Sequence, residues 1–371
     1  MSKVYLGKCE EYDKKKIKTI LKKAFKELGG IDFVKNKKIL LNPNLLAPAE
    51  PEKAVTTHPS VLEATGQIVQ EHGGEVFVGD SPGMGTFKIL YRKTGIEKVV
   101  RENGFKFANF KDKIQVPNKD GKIVKNFTLA KAYREVDIVF SLAKLKTHGM
   151  AYYTGAIKNL FGMVPGLLKP QFHYKFSDKE LFAQMLVDLN FAIKPELAII
   201  DGIVAMEGDG PRNGNPRNIN SLLISRDFVA ADSVACRLVN IDPREIIHIR
   251  KGSESNLGEM EKKRIEIVGD IFDDLKVSKF KQPPKETKVD SVVPLPGFIK
   301  KIVKKILVPK PKFDHKKCIL CKECIKICPS KPKSLKIKDN KIKINRNSCI
   351  KCFCCQEMCP AGAINARRFV L

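Results

Sequence analysis

Nine of the eleven cysteines in this 371-residue chain fall between Cys318 and Cys359. Eight of the nine repeat one spacing: Cys318, Cys321, Cys324 and Cys328 before Pro329, then Cys349, Cys352, Cys355 and Cys359 before Pro360. Three thiolates set three positions apart can wrap one face of an iron-sulfur cubane while the backbone turns around it, and the fourth ligand then has to come from elsewhere. Zinc is the competing use of such thiolates, but zinc sites pair Cys-x2-Cys units across longer loops. A disulfide framework does not suit a long chain whose start, MSKVYLGKCEEYDKKKIKTI, lacks the apolar core and cleavage site of a signal peptide. Cys9 and Cys236 lie far from the repeats and read as plain thiols. Cys354 neighbours Cys355 but is out of register with both repeats, so it reads as a small apolar thiol packed beside a cluster, with a ligand swap with Cys355 as the alternative.

Over residues 313–371 the chain resembles the two-cluster bacterial ferredoxins, with SLKIKDNKIKINRNSC as the hairpin and linker between the repeats. The resemblance implies two 4Fe-4S clusters, each taking its fourth cysteine from the opposite repeat. One would use Cys318, Cys321, Cys324 and Cys359; the other would use Cys349, Cys352, Cys355 and Cys328. Small ferredoxins are commonly acidic, whereas this segment has eleven lysines and three arginines against two aspartates and two glutamates. That charge implies either attachment to one dedicated partner surface or a role with an acidic redox partner protein. Two adjacent clusters favour an electron wire over a mere staple.

A second group of chemically useful residues lies in SLAKLKTHGMAYYTGAIKNLFGMVPG, residues 141–166. Lys144, Lys146, His148, Lys158 and Asn159 stand there among Gly149, Gly155 and Gly162, a combination that suits close approach to a carboxylate or phosphate. The plainer reading is a solvated basic loop and an ordinary helix. Asp201, Glu207 and Asp209 sit in the later segment DGIVAMEGDGPRNG and could serve as acid, base, metal ligand or ion-pair partners. His58 precedes a proline and a helical pattern, and Asp80 in GDSPG could cap a turn or reach a ligand. Lys146, His148 and Asp209 are the candidate catalytic groups. His58, Asp80, Lys144, Lys158, Asn159, Asp201 and Glu207 are the candidate substrate-binding groups. GDSPGMG lacks the lysine of a phosphate loop, no Gly-x-Ser-x-Gly elbow occurs there, and no dinucleotide fingerprint follows the first strands.

These residues need a frame to hold them. From residue 1 to 285, short β-branched runs alternate with amphipathic stretches, as in KKILLNPNLL followed by HPSVLEATGQIVQEHGG, which predicts an α/β domain with a mostly parallel sheet. Ligands of such sheets gather at the carboxyl ends of the strands. The polar segments NPN, GDSPG, KLKTHG and EGDGPRNG all follow strand-like runs, so they should converge on one sheet edge. Residues 286–312 read as a basic linker containing an amphipathic segment at 298–307, which packs on the protein or touches a membrane surface. Residues 313–371 form the small α+β ferredoxin-like domain.

HPSVLEA, GDSPG, the 141–166 stretch and DGIVAMEGDGPRNG are similar to the family known as domain of unknown function 362, often joined to a ferredoxin-type module. The resemblance implies architecture and a site but no reaction. With 43% hydrophobic and 29% charged residues the chain is an ordinary globular one, and no apolar run of eighteen residues occurs. A cytoplasmic location is expected. The net charge of +27 leaves an anionic partner open, but the aromatic-plus-basic modules of RNA and single-strand binding are missing, which disfavours nucleic acid. Two readings follow. In one, the clusters pass low-potential electrons to a small anionic substrate, metal centre or partner at the α/β domain, as in a ferredoxin-linked oxidoreductase. In the other, a non-catalytic carrier or adaptor docks a partner oxidoreductase through that domain.

Overall fold

The structure is a computed structural model and describes residues 1–82, 86–283 and 310–367. The amphipathic segment expected at 298–307 lies outside the described residues.

The first domain contains β1 (Ser2–Lys8), β2 (Lys38–Pro43), β3 (Glu75–Val78), β4 (Lys106–Phe107), β5 (Lys113–Pro117), β6 (Asn126–Ala130), β7 (Ile138–His148), β8 (Tyr152–Thr154), β9 (Leu197–Glu207), β10 (Asn215–Ser225) and β11 (Ile265–Gly269). Nine of these form one sheet in the order β11-β1-β10-β9-β7-β2-β3-β4, with β8 hung on β7, while β5 and β6 make a separate ribbon. The pairs β3–β4, β2–β3, β2–β7, β7–β9 and β1–β11 are parallel, so the expected mostly parallel α/β sheet is observed. Strand β10 runs antiparallel to both β9 and β1, because it follows β9 through a short turn with no helix to carry the chain back across the sheet.

Strand alternation builds two cores. Ile39, Leu41, Phe140, Leu142 and Ile199 face one layer, and Leu40, Val139, Ala198 and Ile200 face the other. Both faces are covered, which is why the strands read as nearly continuous apolar runs. Helices Lys14–Glu27 and Pro59–Glu71 bury their apolar stripes in the first layer. Helices Lys179–Ile193 and Phe228–Leu238 do so in the second. Each fully buried aliphatic side chain contributes about 1.5–3 kcal/mol relative to exposure. Local signals set the helix starts: His58 Nδ1 accepts from Ser60 N at 3.2 Å ahead of Pro59, and Asp178 accepts from Glu180 N and Leu181 N.

The C-terminal module pairs β12 (Lys310–Phe313) with β15 (Ile364–Arg367) and closes the hairpin of β13 (Leu335–Lys338) and β14 (Lys341–Ile344). Asp339 and Asn340 both take positive φ at that hairpin's turn, the conformation a two-residue connection demands. Short helices at Glu323–Ile327 and Cys354–Glu357 follow the two cysteine loops.

Candidate functional site

The cysteines of the two repeats line two cavities. Cys318, Cys321, Cys324 and Cys359 share one with Phe313, Ile342 and Ile364. Cys328, Cys349, Cys352 and Cys355 share the other with Pro311, Ile344 and Phe353. In each cavity three thiols come from one repeat and the fourth from the other. Among the described residues no three Cys, His, Asp or Glu side chains already form a compact metal-ligating group, so the grouping rests on which cavity each thiol lines. Apolar walls, four thiols and the 3.2 Å hydrogen bond from Ala363 N to Cys359 Sγ suit a sulfur-ligated iron cluster, whose sulfurs take backbone donors. Cys354 lines neither cavity.

Cys354 instead faces a cleft of about 70 Å3 between the α/β domain and the C-terminal module. The α/β wall carries Lys146 and His148 at the end of β7, Lys158 and Asn159 on the short helix Ala156–Asn159, and Asp80 after β3. Lys169 and His173 come from the helix Lys169–Lys175. The module's wall carries Cys354, Glu357, Met358 and Ile327. The convergence of polar segments at the sheet's carboxyl edge therefore occurs, with Asn44 after β2 and Pro211 after β9 also lining the cleft.

A hydrogen-bond chain sets the geometry. Lys146 Nζ donates to Asn44 Oδ1 at 2.6 Å and to Val55 O at 2.7 Å. Asn44 Nδ2 donates to Asn159 Oδ1 at 3.0 Å, and Asn159 Nδ2 donates to Asn42 O and Ser141 Oγ. Asp232, buried in the helix Phe228–Leu238, accepts from Ala156 N at 2.6 Å, Ile157 N at 3.0 Å and Tyr153 OH at 3.0 Å. It thereby caps the helical turn that presents Lys158 and Asn159. A Cβ on Gly155 would stand 2.1 Å from Asp232 Oδ1, and one on Gly162 would stand 1.9 Å from Asp80 Oδ1. Both glycines are there for close approach.

His148 joins the two walls. Its Nδ1 accepts from Met150 N and Ala151 N, so Nε2 carries the proton in the neutral ring. Nε2 lies 3.0 Å from Glu357 Oε1, and neither atom has another hydrogen-bonding partner among the described residues. Asp80 Oδ1 and His173 Nδ1, both buried, are likewise unpartnered. Lys158, half-buried, makes no hydrogen bond or ion pair with the described residues. Such unmet polar atoms around one cleft are what a ligand site leaves open.

Burial pushes Lys146 down to about 7, with Lys158 adding like-charge repulsion. Burial and then Lys158 lower His148 to about 4 against the pull of Glu357. Burial raises Glu357, but His148, Lys158 and His173 outweigh it and hold the carboxyl at about 2. Burial raises Asp80, opposed by Lys169, whose Nζ also donates to Ser81 O. Three lysines and Asp80 on the α/β wall thus face Glu357 on the module's wall.

Other candidates lie elsewhere. Lys144 Nζ meets Asp201 Oδ2 and Tyr12 OH, each at 2.8 Å, Tyr12 OH donates to Asp201 Oδ1, and His58 N donates to Asp201 Oδ2. The His58 ring stacks on Tyr12 at 3.6 Å. This is a closed, satisfied network away from the cleft. A register shift where β7 passes from Lys144 opposite Asp201 to Lys146 opposite Met206 separates it from the site. Glu207 accepts from Lys281 N at 2.9 Å. Asp209 is half-buried and lines no part of the cleft. Cys9 and Cys236 are buried, and burial raises both thiols, Cys9 to about 11. Lys169, His173, Asp232 and Glu357 were not singled out in the sequence. A lysine and histidine four apart in KPQFHYK was the faint signal available for the first two.

Sheet domain and cysteine module together define an iron-sulfur electron-transfer protein of ferredoxin type. The chain belongs to the family described as domain of unknown function 362, whose model matches residues 39–237, and a 4Fe-4S dicluster domain matches residues 310–360. It is 35% identical over 246 residues to a thylakoid-associated protein of Synechocystis sp., covering 66% of this chain and 76% of that one. Among solved structures it is similar to the lactate racemase apoprotein from Thermoanaerobacterium thermosaccharolyticum, with 12% identity, a TM-score of 0.38, and coverage of 61% of this chain and 54% of that chain. A protein from Thermotoga maritima gives 16% identity, a TM-score of 0.38, and coverage of 62% and 60%. The match thus spans little more than half of either solved chain. Among the described residues no helix is long and apolar enough to cross a membrane.

Proposed function

We propose that this chain carries two 4Fe-4S clusters and uses them to reduce a small anionic ligand held in the cleft between its two domains. One cluster would be held by Cys318, Cys321, Cys324 and Cys359, the other by Cys349, Cys352, Cys355 and Cys328. When bound, the clusters supply single electrons. The observation that carries the reading is the shared wall: Cys354, one residue from Cys355, lines the same cleft as Lys146, Lys158 and Lys169.

The chain's own residues divide the remaining work. Lys158 and Lys169 attract the anion, and Asn159 orients it through the chain that runs to Asn44. Lys146 holds a proton at Nζ, and with a pKa of about 7 it can give that proton up at neutral pH, as a general acid must. His148 and Glu357 hold the two walls together and exclude water. Lys144, Asp201 and His58 support the end of β7 and do not touch the ligand. An acidic redox protein supplies the electrons.

Iron and sulfide analysis of anaerobically purified protein tests the first part, with about eight of each per chain expected. Reduced protein is then mixed with small carboxylates and oxyanions while the visible absorption of the clusters is followed. At least one anion should speed reoxidation, and Lys158→Gln should remove most of that effect. Zinc in place of iron, or anion-dependent reoxidation unchanged in both Lys158→Gln and Lys146→Met, would overturn the reading.

A further inference from the structure

Of the eleven cysteines, Cys321 is the exposed one. It lies in a short turn whose neighbours are unusual for a protein surface. Ile319, two residues before it, is 66% exposed. Lys316, Lys317 and Lys322 are exposed around it, and among the described residues their ammonium groups form no ion pair. Two carboxylates flank the turn and both are engaged: Asp314 accepts from Lys316 N at 3.0 Å, and Glu323 pairs with Lys326 at 2.6 Å. Ile319 and Lys322 line the same cavity as Cys318, Cys321, Cys324 and Cys359. The other cavity has no exposed cysteine, and its loop carries Cys354 toward the cleft.

We infer that the turn 316–322 is the docking surface for an acidic one-electron carrier protein, which delivers electrons at the Cys321 cavity. This rests on the proposed two-cluster reading and adds where the wire begins. A bare isoleucine ringed by unpaired lysines matches the make-up of a transient interface: a small apolar centre for close contact, with charge around it to steer the encounter. The partner must be acidic, since three unneutralised lysines repel a basic surface and attract a carboxylate-rich one. Electrons taken up there cross to the second cavity, beside Cys354, without leaving the module.

The test uses the full chain loaded with its iron and a reduced acidic flavodoxin as the probe, mixed in a stopped-flow instrument at low and moderate salt. The triple variant Lys316→Glu, Lys317→Glu, Lys322→Glu should slow cluster reduction about tenfold or more at low salt and flatten its salt dependence. Its iron content and its reduction by dithionite should stay as in the parent. A matched triple on the hairpin, Lys336→Glu, Lys338→Glu, Lys341→Glu, carries the same charge change and should alter the rate less than twofold. Equal slowing by both triples, or none by the first, would overturn the docking surface. Half the expected iron would overturn the two-cluster reading instead, so the two failures are distinguishable.

Discussion

His148 Nε2 and Glu357 Oε1 stand 3.0 Å apart across the junction of the two domains, each buried and each without another partner among the described residues. Nearby, Arg212 reaches the Glu357 carbonyl at 3.4 Å. Glu357 lies between Cys355 and Cys359, two of the proposed cluster ligands, so this contact ties the loop that would hold a cluster to the strand end that carries Lys146.

Cysteine substitutions should separate ligand from neighbour. Cys355→Ala is expected to lose about half of the iron, because it removes one thiol from a set of four. Cys354→Ala should keep the full iron content while changing how the clusters respond to added anions. Iron analysis and visible spectra of the two variants decide this, and comparable iron loss in both would mean that Cys354 is itself a ligand.

Lys144, buried on β7, should behave differently from Lys158. Lys144→Met leaves Asp201 buried without its cation and should cost about 3–5 kcal/mol in urea unfolding. Lys158→Gln breaks no hydrogen bond in the described structure, so unfolding should shift by less than about 1 kcal/mol while anion binding weakens about tenfold or more. Reversed outcomes would exchange the roles of the two sites.

Acid should weaken the fold earlier than carboxylate protonation alone would. His58, His148, His173 and His248 are held at about 4, 4, 4 and 3 because burial disfavours the imidazolium. Unfolded, each takes up its proton near pH 6.5. Their contribution is therefore intact above about pH 6.5 and is lost as pH falls toward 4, with a slope reaching about 5 kcal/mol per pH unit for four protons. Urea unfolding at pH 7, 6 and 5 measures the slope, and His248→Gln should reduce it by about one quarter.

Gly162→Ala tests the close approach of the loop after Asn159. The new Cβ would fall 1.9 Å from Asp80 Oδ1, so backbone or carboxylate must move. A loss of about 1–3 kcal/mol in stability is expected, accompanied by weaker anion binding because Asp80 also accepts Leu45 N at 2.7 Å in the cleft's floor. Unchanged stability would place Asp80 outside the packed wall.

Much of this was legible in the chain. The cysteine repeats are visible as local spacing, and each of the two cavities is lined by three cysteines of one repeat and one of the other. Strand alternation announced the two-sided sheet, and the polar runs after β2, β3, β7 and β9 pointed to its carboxyl edge. What stayed hidden depends on distance along the chain. Asp232 caps a helix some 75 residues earlier, and Glu357 reaches back across about 209 residues to His148. Neither pairing leaves a periodic mark. Lys144 and Lys146 stand two apart in one basic, glycine-containing segment, but the register shift on β9 sends them to different networks.

The cleft has one wall from each part of the chain, so under the proposed function the site would depend on maturation. If the iron-sulfur groups fix the module's wall in place, a chain without them would leave the lysine wall uncovered and would neither capture the anion nor waste electrons on it. Assembly of the wire and completion of the site would then be a single event.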